Sequence, residues 1–194
     1  MIILIGGVGY AGKTLMAQRL LEKYKYPYLS IDHLKMGLYL ADIECGFTPQ
    51  SGTEYIGEKL WPILKGIIMT NIENKQNLII EGGYLLPGRV GELLAEYSDS
   101  VISFYLGFSE PYIKKYFESE ILGHRCEIEA RGYDNVDTVE DYILENKTQR
   151  ELCKKYSAKY FEISGDYQSE TEKVYLWIDG EISKKITNKN RRFP

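Results

Sequence analysis

The stretch Gly6–Thr14, "GGVGYAGKT", follows directly on the apolar run "MIILI". It precedes a segment in which Ala17, Leu20, Leu21 and Tyr24 recur at helical spacing. Within it, "GVGYAGKT" has the form G-x-x-x-x-G-K-[ST], with Gly7, Gly12, Lys13 and Thr14 in the fixed places. A strand over residues 2–6, a glycine loop and a helix opening at about Lys13 supply the context that gives this pattern physical meaning. Glycines allow positive φ and turn successive N–H groups toward one point, where the helix N-terminus adds partial positive charge. Such a loop, here Gly7, Val8, Gly9, Tyr10, Ala11, Gly12, Lys13, Thr14 and Leu15, holds an oligophosphate mainly through its backbone. Lys13 offers charge to the β and γ phosphates, and the Thr14 hydroxyl offers a ligand to Mg²⁺. ATP with Mg²⁺ is the expected cofactor pair.

Outward from this loop, short apolar runs alternate with segments of helical period, the pattern of a parallel sheet covered by helices. Strands are expected at "IILIG" (2–6), "PYLSI" (27–31), "NLIIEG" (77–82), "VISFYLG" (101–107) and "YFEIS" (160–164). Helices carry Val90, Leu93, Leu94 and Tyr97, and then Ile113, Tyr116 and Phe117 with Ser109 as N-cap. "DTVEDYI" places Glu140 three residues after Asp137, a capping-box spacing that opens a long helix through Val139, Ile143, Cys153 and Tyr156. A last helix carries Val174, Ile178, Ile182 and Ile186.

Two regions depart from this rhythm. Residues 33–76 are long for one crossover and contain "CGFTPQSGT" before the helical "YIGEKLWPILKGIIMTNI", which suggests an acceptor-covering region. "LGHRCEIEARGYDN", Leu122 to Asn135, is charged and without clear period, and reads as a lid over 122–136. There is no internal repeat or linker, so residues 1–194 are expected to form a single domain.

Composition narrows the function classes. Of the 194 residues 44% are apolar and 27% charged, and no apolar stretch approaches the roughly 20 residues that span a bilayer. The first apolar run lacks the basic leader and cleavage site of a secretory signal, so a cytoplasmic location is expected. A net charge of -4 argues against a nucleic-acid surface, and the basic "KNRRF" reads as a solvated tail. Cys45, Cys126 and Cys153 are widely spaced and odd in number, which suggests free thiols rather than disulfides or a zinc site.

With these features in place, the chain resembles the P-loop kinases of small molecules, the superfamily of adenylate, shikimate and gluconate kinases. The resemblance implies a three-layer αβα fold with a five-stranded parallel sheet in the order 2-3-1-4-5, the nucleotide lying at the carboxyl ends of the strands. It implies a role for Asp32 in "YLSIDHLKMG", where relatives carry an acid near the transferred phosphoryl group, and for Lys35, one helical turn on, where a basic residue meets the acceptor. A carboxylate there either accepts a hydroxyl proton or positions a water on Mg²⁺. The plain alternative for Asp32 is an N-cap of the next helix.

In "LIIEGGYLLPGR", Glu81 looks like a Walker-B-type acid that holds the metal through water. Arg89 falls near the place where nucleoside monophosphate kinases set an arginine on the acceptor phosphate, although the intervening loop here is longer. Lid arginines in relatives stabilise charge on the transferring group, which points to Arg125 and Arg131 ahead of Arg150. The loop after "YFEIS" frames the adenine in this superfamily, so Gly165, Asp166 and Tyr167 are candidates there.

Three function classes follow: a kinase of a small acceptor, a nucleotide switch, and a toxin-type or regulatory kinase acting on a larger partner. A GTPase would carry D-x-x-G and N-K-x-D, where this chain has "EGGY" and "NKTQ". The expectation is a Mg²⁺-dependent ATP phosphotransferase whose partner is a small-molecule acceptor, not a nucleic acid or a membrane. The first and third classes share the same loop, acid and lid, and the sequence does not separate them.

Overall fold

The apolar opening run forms the central strand of a parallel sheet. In the computed structural model, which describes residues 1–123 and 138–192, β1 (Ile2–Gly7) pairs with β3 (Leu78–Glu81) on one side and β4 (Val101–Phe108) on the other. β2 (Tyr28–Ser30) joins β3, and β5 (Tyr160–Ile163) joins β4, giving the order β2-β3-β1-β4-β5. All six residues of β1 and all eight of β4 are buried, as strands covered on both faces require.

Alternate residues of these strands feed two cores. Ile3, Ile5, Ile79, Ile102, Phe104 and Leu106 face one side. There they meet Met16, Ala17 and Leu20 of α1 (Lys13–Tyr24) and Val174, Ile178 and Ile182 of α7 (Tyr167–Arg192). Ile2, Leu4, Ile80 and Tyr105 face the other, against α3 (Thr53–Glu73) and α4 (Pro87–Tyr97). This period of two sends every second side chain to the opposite layer. It also puts Glu81 on the face of Ile79, toward α1. The remaining helices are α2 (Ile31–Ala41), α5 (Glu110–Tyr116), continued by a π-helical turn Phe117–Leu122, and α6 (Val139–Lys155).

Several local expectations shift. The second strand ends at Ser30 instead of residue 31, because Ile31 already opens α2. Ser109 caps α5 as expected, accepting from the Tyr112 N–H. The capping box of α6 is formed by Thr138 and Asp141, one residue beyond the Asp137–Glu140 pair read from the sequence. Asp137 itself lies outside the described residues. Ile186 is half exposed, so the buried stripe of α7 ends at Ile182.

The region 33–76 is less of a cover than the sequence suggests. Ile56, Leu60, Trp61, Leu64 and Ile68 bury α3 in the second core, so only its first turns are left to face a ligand. The lid stretch from residue 124 onward, with Arg125, Cys126 and Arg131, lies outside the described residues. Cys45 and Cys153 are free, and burial pushes the Cys153 thiol up to about 11. Among the described residues no helix is long and apolar enough to cross a membrane.

Candidate functional site

The loop between β1 and α1 takes its shape from two glycines. Gly7 has φ +127° and Gly12 φ +78°, and a Cβ would run into the Leu106 backbone at the first and the Tyr167 hydroxyl at the second. Neither position accommodates a side chain. Three later segments brace the loop. The Val8 N–H donates to the Leu106 carbonyl at 3.2 Å, the buried Tyr142 hydroxyl to the Gly9 carbonyl at 2.6 Å, and the Tyr167 hydroxyl to the Ala11 carbonyl at 3.4 Å. Val8, expected among the phosphate contacts, therefore has its N–H committed to the sheet.

The start of α1 has the electrostatics of an anion site. Its N-cap, Gly12, provides no side-chain cap, and its first turn contains no acid, so the helix end keeps its partial positive charge. Lys13 is buried and donates its Nζ to the Val8 carbonyl at 2.5 Å, which lays the ammonium across the loop. The Gly9 N–H points at Glu145 Oε1, 3.5 Å away on α6.

Glu81 stands at the end of β3, in register with Ile5 of β1 and Ser30 of β2. It is 2% exposed, and its Oε1 has no hydrogen-bond partner among the described residues. Burial raises its pKa, the Lys13 charge and the neighbouring Ser30 and Thr14 hydroxyls oppose that rise, and the Asp32 carboxylate adds to it. A buried carboxylate oxygen left unsatisfied is costly, and a cation relieves it. The donor set fits Mg²⁺: Glu81 Oε1 and the Thr14 hydroxyl are hard oxygens. Among the described residues no group of three or more His, Cys, Asp or Glu gathers into a closed metal cage. Phosphate and water would complete such a site.

Asp32 occupies the first turn of α2, and the capping position belongs to Ser30, which disposes of the N-cap alternative. Lys35 Nζ lies 3.2 Å from Asp32 Oδ1 and 2.9 Å from the Tyr84 hydroxyl, and 5.0 Å from the centre of the Tyr84 ring. Burial alone would lower the Lys35 pKa, but Tyr84 and Asp32 outweigh it and the net shift is upward. Asp32 and Tyr84 line the cleft, whereas Lys35, expected to meet an acceptor, is not among the residues that line it.

Lys13, Thr14, Asp32, Glu81 and Tyr84 open on one cleft of about 1230 Å³. At one end Phe108, Tyr112, Tyr167 and Arg19 form its wall, with Phe108 and Tyr112 stacked at 5.1 Å, a surface suited to a flat base. Asp166 is used differently from its expected place at the adenine: its carboxylate accepts from the Ser169 N–H and hydroxyl at the start of α7. At the other end, Arg89 lines the cleft but is clamped by acids. Its Nε and Nη2 donate to Glu58, at 3.0 and 2.7 Å, and its Nη1 to Glu92 at 3.1 Å. Arg150 points elsewhere, to Glu162 of β5 at 3.0 Å. The structure thus brings Lys13, Thr14, Glu81, Asp32 and Arg89 to one cleft.

Tyr142 and Asn146 were not singled out from the sequence. Asn146 accepts from the Phe108 N–H at 2.7 Å and donates to the Tyr142 carbonyl at 2.8 Å, fastening the end of β4 to α6. Their spacing of four on one helix was visible, but α6 is largely polar, so the pair did not stand out as an inward face.

No family profile matches the sequence, and no curated protein does. Solved structures are similar in fold. A shikimate kinase from Aquifex aeolicus superposes with a TM-score of 0.52 at 19% identity, over 94% of this chain and 98% of that one. A shikimate kinase from Bacteroides thetaiotaomicron gives 0.55 at 15%, over 92% and 98%, and a gluconokinase from Sinorhizobium meliloti 0.55 at 13%, over 99% and 97%. The chain has the fold of the P-loop small-molecule kinases.

Proposed function

From that fold and from the grouping of Lys13, Thr14 and Glu81, we propose that this chain moves the γ-phosphoryl group of ATP to a hydroxyl of a small acceptor. The observation that carries the reading is Glu81: a buried carboxylate with an unsatisfied oxygen, beside a glycine loop whose helix end has positive character. A fold alone does not specify chemistry, whereas this pairing of acid and loop has a chemical use.

In this reading the loop N–H groups and the start of α1 take the triphosphate. Lys13 exchanges the Val8 carbonyl for the β and γ oxygens. Thr14 and Glu81 would hold Mg²⁺, which would supply neutralising charge on the phosphates. Phe108, Tyr112 and Tyr167 take the base. Asp32 orients the acceptor hydroxyl and receives its proton as the oxygen attacks the γ phosphorus and the bond to the β,γ-bridging oxygen breaks, releasing ADP. Lys35, itself bonded to Tyr84, holds Asp32 in place. Arg125 and Arg131 are assigned to the transferring group by the resemblance.

The test is ADP formation from ATP and Mg²⁺ over a panel of nucleosides, nucleotides, sugars and small acids. Formation that depends on one acceptor supports the reading. Hydrolysis at the same rate with no acceptor would sink it.

A further inference from the structure

Tyr10 sits at a point of the glycine loop where the backbone favours a glycine. Its φ is +56°, in the left-handed region that is strained for a residue with a Cβ. Three other non-glycine residues among those described have positive φ, and each ends a helix. Lys25 caps α1, Lys75 follows the Asn74 cap of α3, and Ser157 follows the Tyr156 cap of α6. Left-handed residues are ordinary at helix ends, but Tyr10 lies inside a loop shaped for a ligand. The neighbouring Gly9 sharpens the contrast. It does not have positive φ, and a Cβ there would meet nothing within 4 Å. The loop thus has a glycine where a side chain would fit and a tyrosine where the backbone favours glycine. Strain held in a functional loop implies a use for the side chain that imposes it.

The surroundings of the ring give that use. Tyr10 is half-buried and lines the cleft. Its ring centre is 6.4 Å from that of Tyr142, which in turn is 6.3 Å from that of Phe108 in the base wall. Tyr167, also of that wall, donates its hydroxyl to the carbonyl of Ala11, the residue after Tyr10. Tyr10 therefore stands where the aromatic wall meets the phosphate loop. In a nucleoside phosphate the sugar joins the base to the phosphates. A ligand with its base on Phe108 and Tyr112 and its phosphates at Gly12 to Thr14 brings that sugar past Tyr10, and an aromatic face packs well on the apolar C–H edge of a pentose.

We infer that Tyr10 is a nucleotide-contact residue whose ring packs on the ribose of the bound nucleotide, so that the loop grips the donor by a side chain as well as by its backbone. The inference rests on the phosphotransferase reading, whose donor site it completes. Tyr142 supports the ring from the core side, and the left-handed backbone sets its direction. Substitution of the side chain keeps the backbone N–H, so grip on the sugar and grip on the phosphates are separable.

The test compares ADP with inorganic triphosphate, a probe that has phosphates and no sugar, each titrated with Mg²⁺ into the wild type, Tyr10→Gly and Tyr10→Phe. Glycine suits the left-handed backbone and removes the ring, whereas phenylalanine keeps the ring. ADP is expected to bind about fivefold to tenfold more weakly to Tyr10→Gly and within about twofold of the wild type to Tyr10→Phe, while triphosphate binds all three alike. In the wild type saturated with ADP and Mg²⁺, nuclear Overhauser contacts are expected between the Tyr10 ring protons and the ribose protons. Lack of those contacts overturns the inference, and so does an unchanged ADP affinity in Tyr10→Gly. Equal losses of ADP and triphosphate in that variant also overturn it, because they mean that the ring only covers Tyr142 and shapes the loop. If Tyr10→Gly does not fold, the Overhauser contacts decide. Failure of both ADP and triphosphate to bind the wild type would instead remove the phosphotransferase reading, and this inference with it.

Discussion

Tyr142 donates its hydroxyl to the carbonyl oxygen of Gly9 at 2.6 Å, across 133 residues of sequence. The ring is buried in the core between Phe108 and Phe117, so the hydroxyl has a fixed position from which to hold the middle of the loop. Tyr142→Phe keeps the packing and removes the bond. We expect a loss of about 1 kcal/mol in stability and an ADP affinity weaker by about fivefold, read by thermal unfolding and calorimetry. An unchanged ADP affinity would mean that Leu106 and Tyr167 suffice to shape the loop.

Lys13→Ala removes the cation that lies across the loop. A loss of at least about 2 kcal/mol of transition-state stabilisation is expected, a fall of roughly thirtyfold in kcat/KM for the acceptor-dependent reaction. Lys13→Arg tests geometry, since a guanidinium retains the charge but not the compact head that bonds the Val8 carbonyl.

Glu81→Gln separates the metal from the fold. Burial raises the Glu81 pKa in the folded, metal-free chain, so between the ordinary carboxylate value and that raised value the folded state keeps a proton the unfolded state has released. Stability therefore falls as pH rises through this window and levels off above it. In the Gln variant this fall is absent, and at neutral pH the metal-free variant should unfold at a higher temperature than the wild type. The same variant should bind Mg²⁺ with ADP about tenfold or more weakly. Parallel pH profiles of wild type and variant would falsify the assignment of Glu81 as the buried acid.

Tyr105→Phe addresses the opposite case, a polar group with no evident use. The Tyr105 hydroxyl is buried on the α3 side of the sheet and has no hydrogen-bond partner among the described residues. Removing an unsatisfied buried hydroxyl should stabilise the chain by about 1 kcal/mol, or roughly 2–4 °C in Tm. A lower Tm would show that the hydroxyl has a partner in solution.

The legible features of the sequence were those carried by neighbours in the chain. The glycine loop, the strands flanking it and Glu81 at the end of an apolar run all follow from spacing within a dozen residues, and the strand order follows from the resemblance they establish. Boundaries moved where one residue belongs to two patterns: Ile31 is as apolar as a strand residue and opens a helix, and Thr138 caps as well as Asp137 would. What the sequence could not display were pairings across the fold. Arg89 read alone looks like an anion receptor; only the placement of Glu58, 31 residues earlier, shows that its charge is answered from within the chain. Lys35 likewise reads alone as a contact for the acceptor, and only the placement of Tyr84, 49 residues later, shows that its ammonium is answered from within the chain.

The braces on the glycine loop also fix an order of events during synthesis. Residues 6–14 are made before the groups that hold them, which belong to Leu106, Tyr142 and Tyr167. A nascent chain with β1 and α1 exposed has the motif but not the shape, and its central strand has no partners until β3 and β4 emerge. If the loop takes its binding shape only from these later segments, it would hold a nucleotide only after they have folded onto it, and occupancy of the loop would report that the sheet has closed around it.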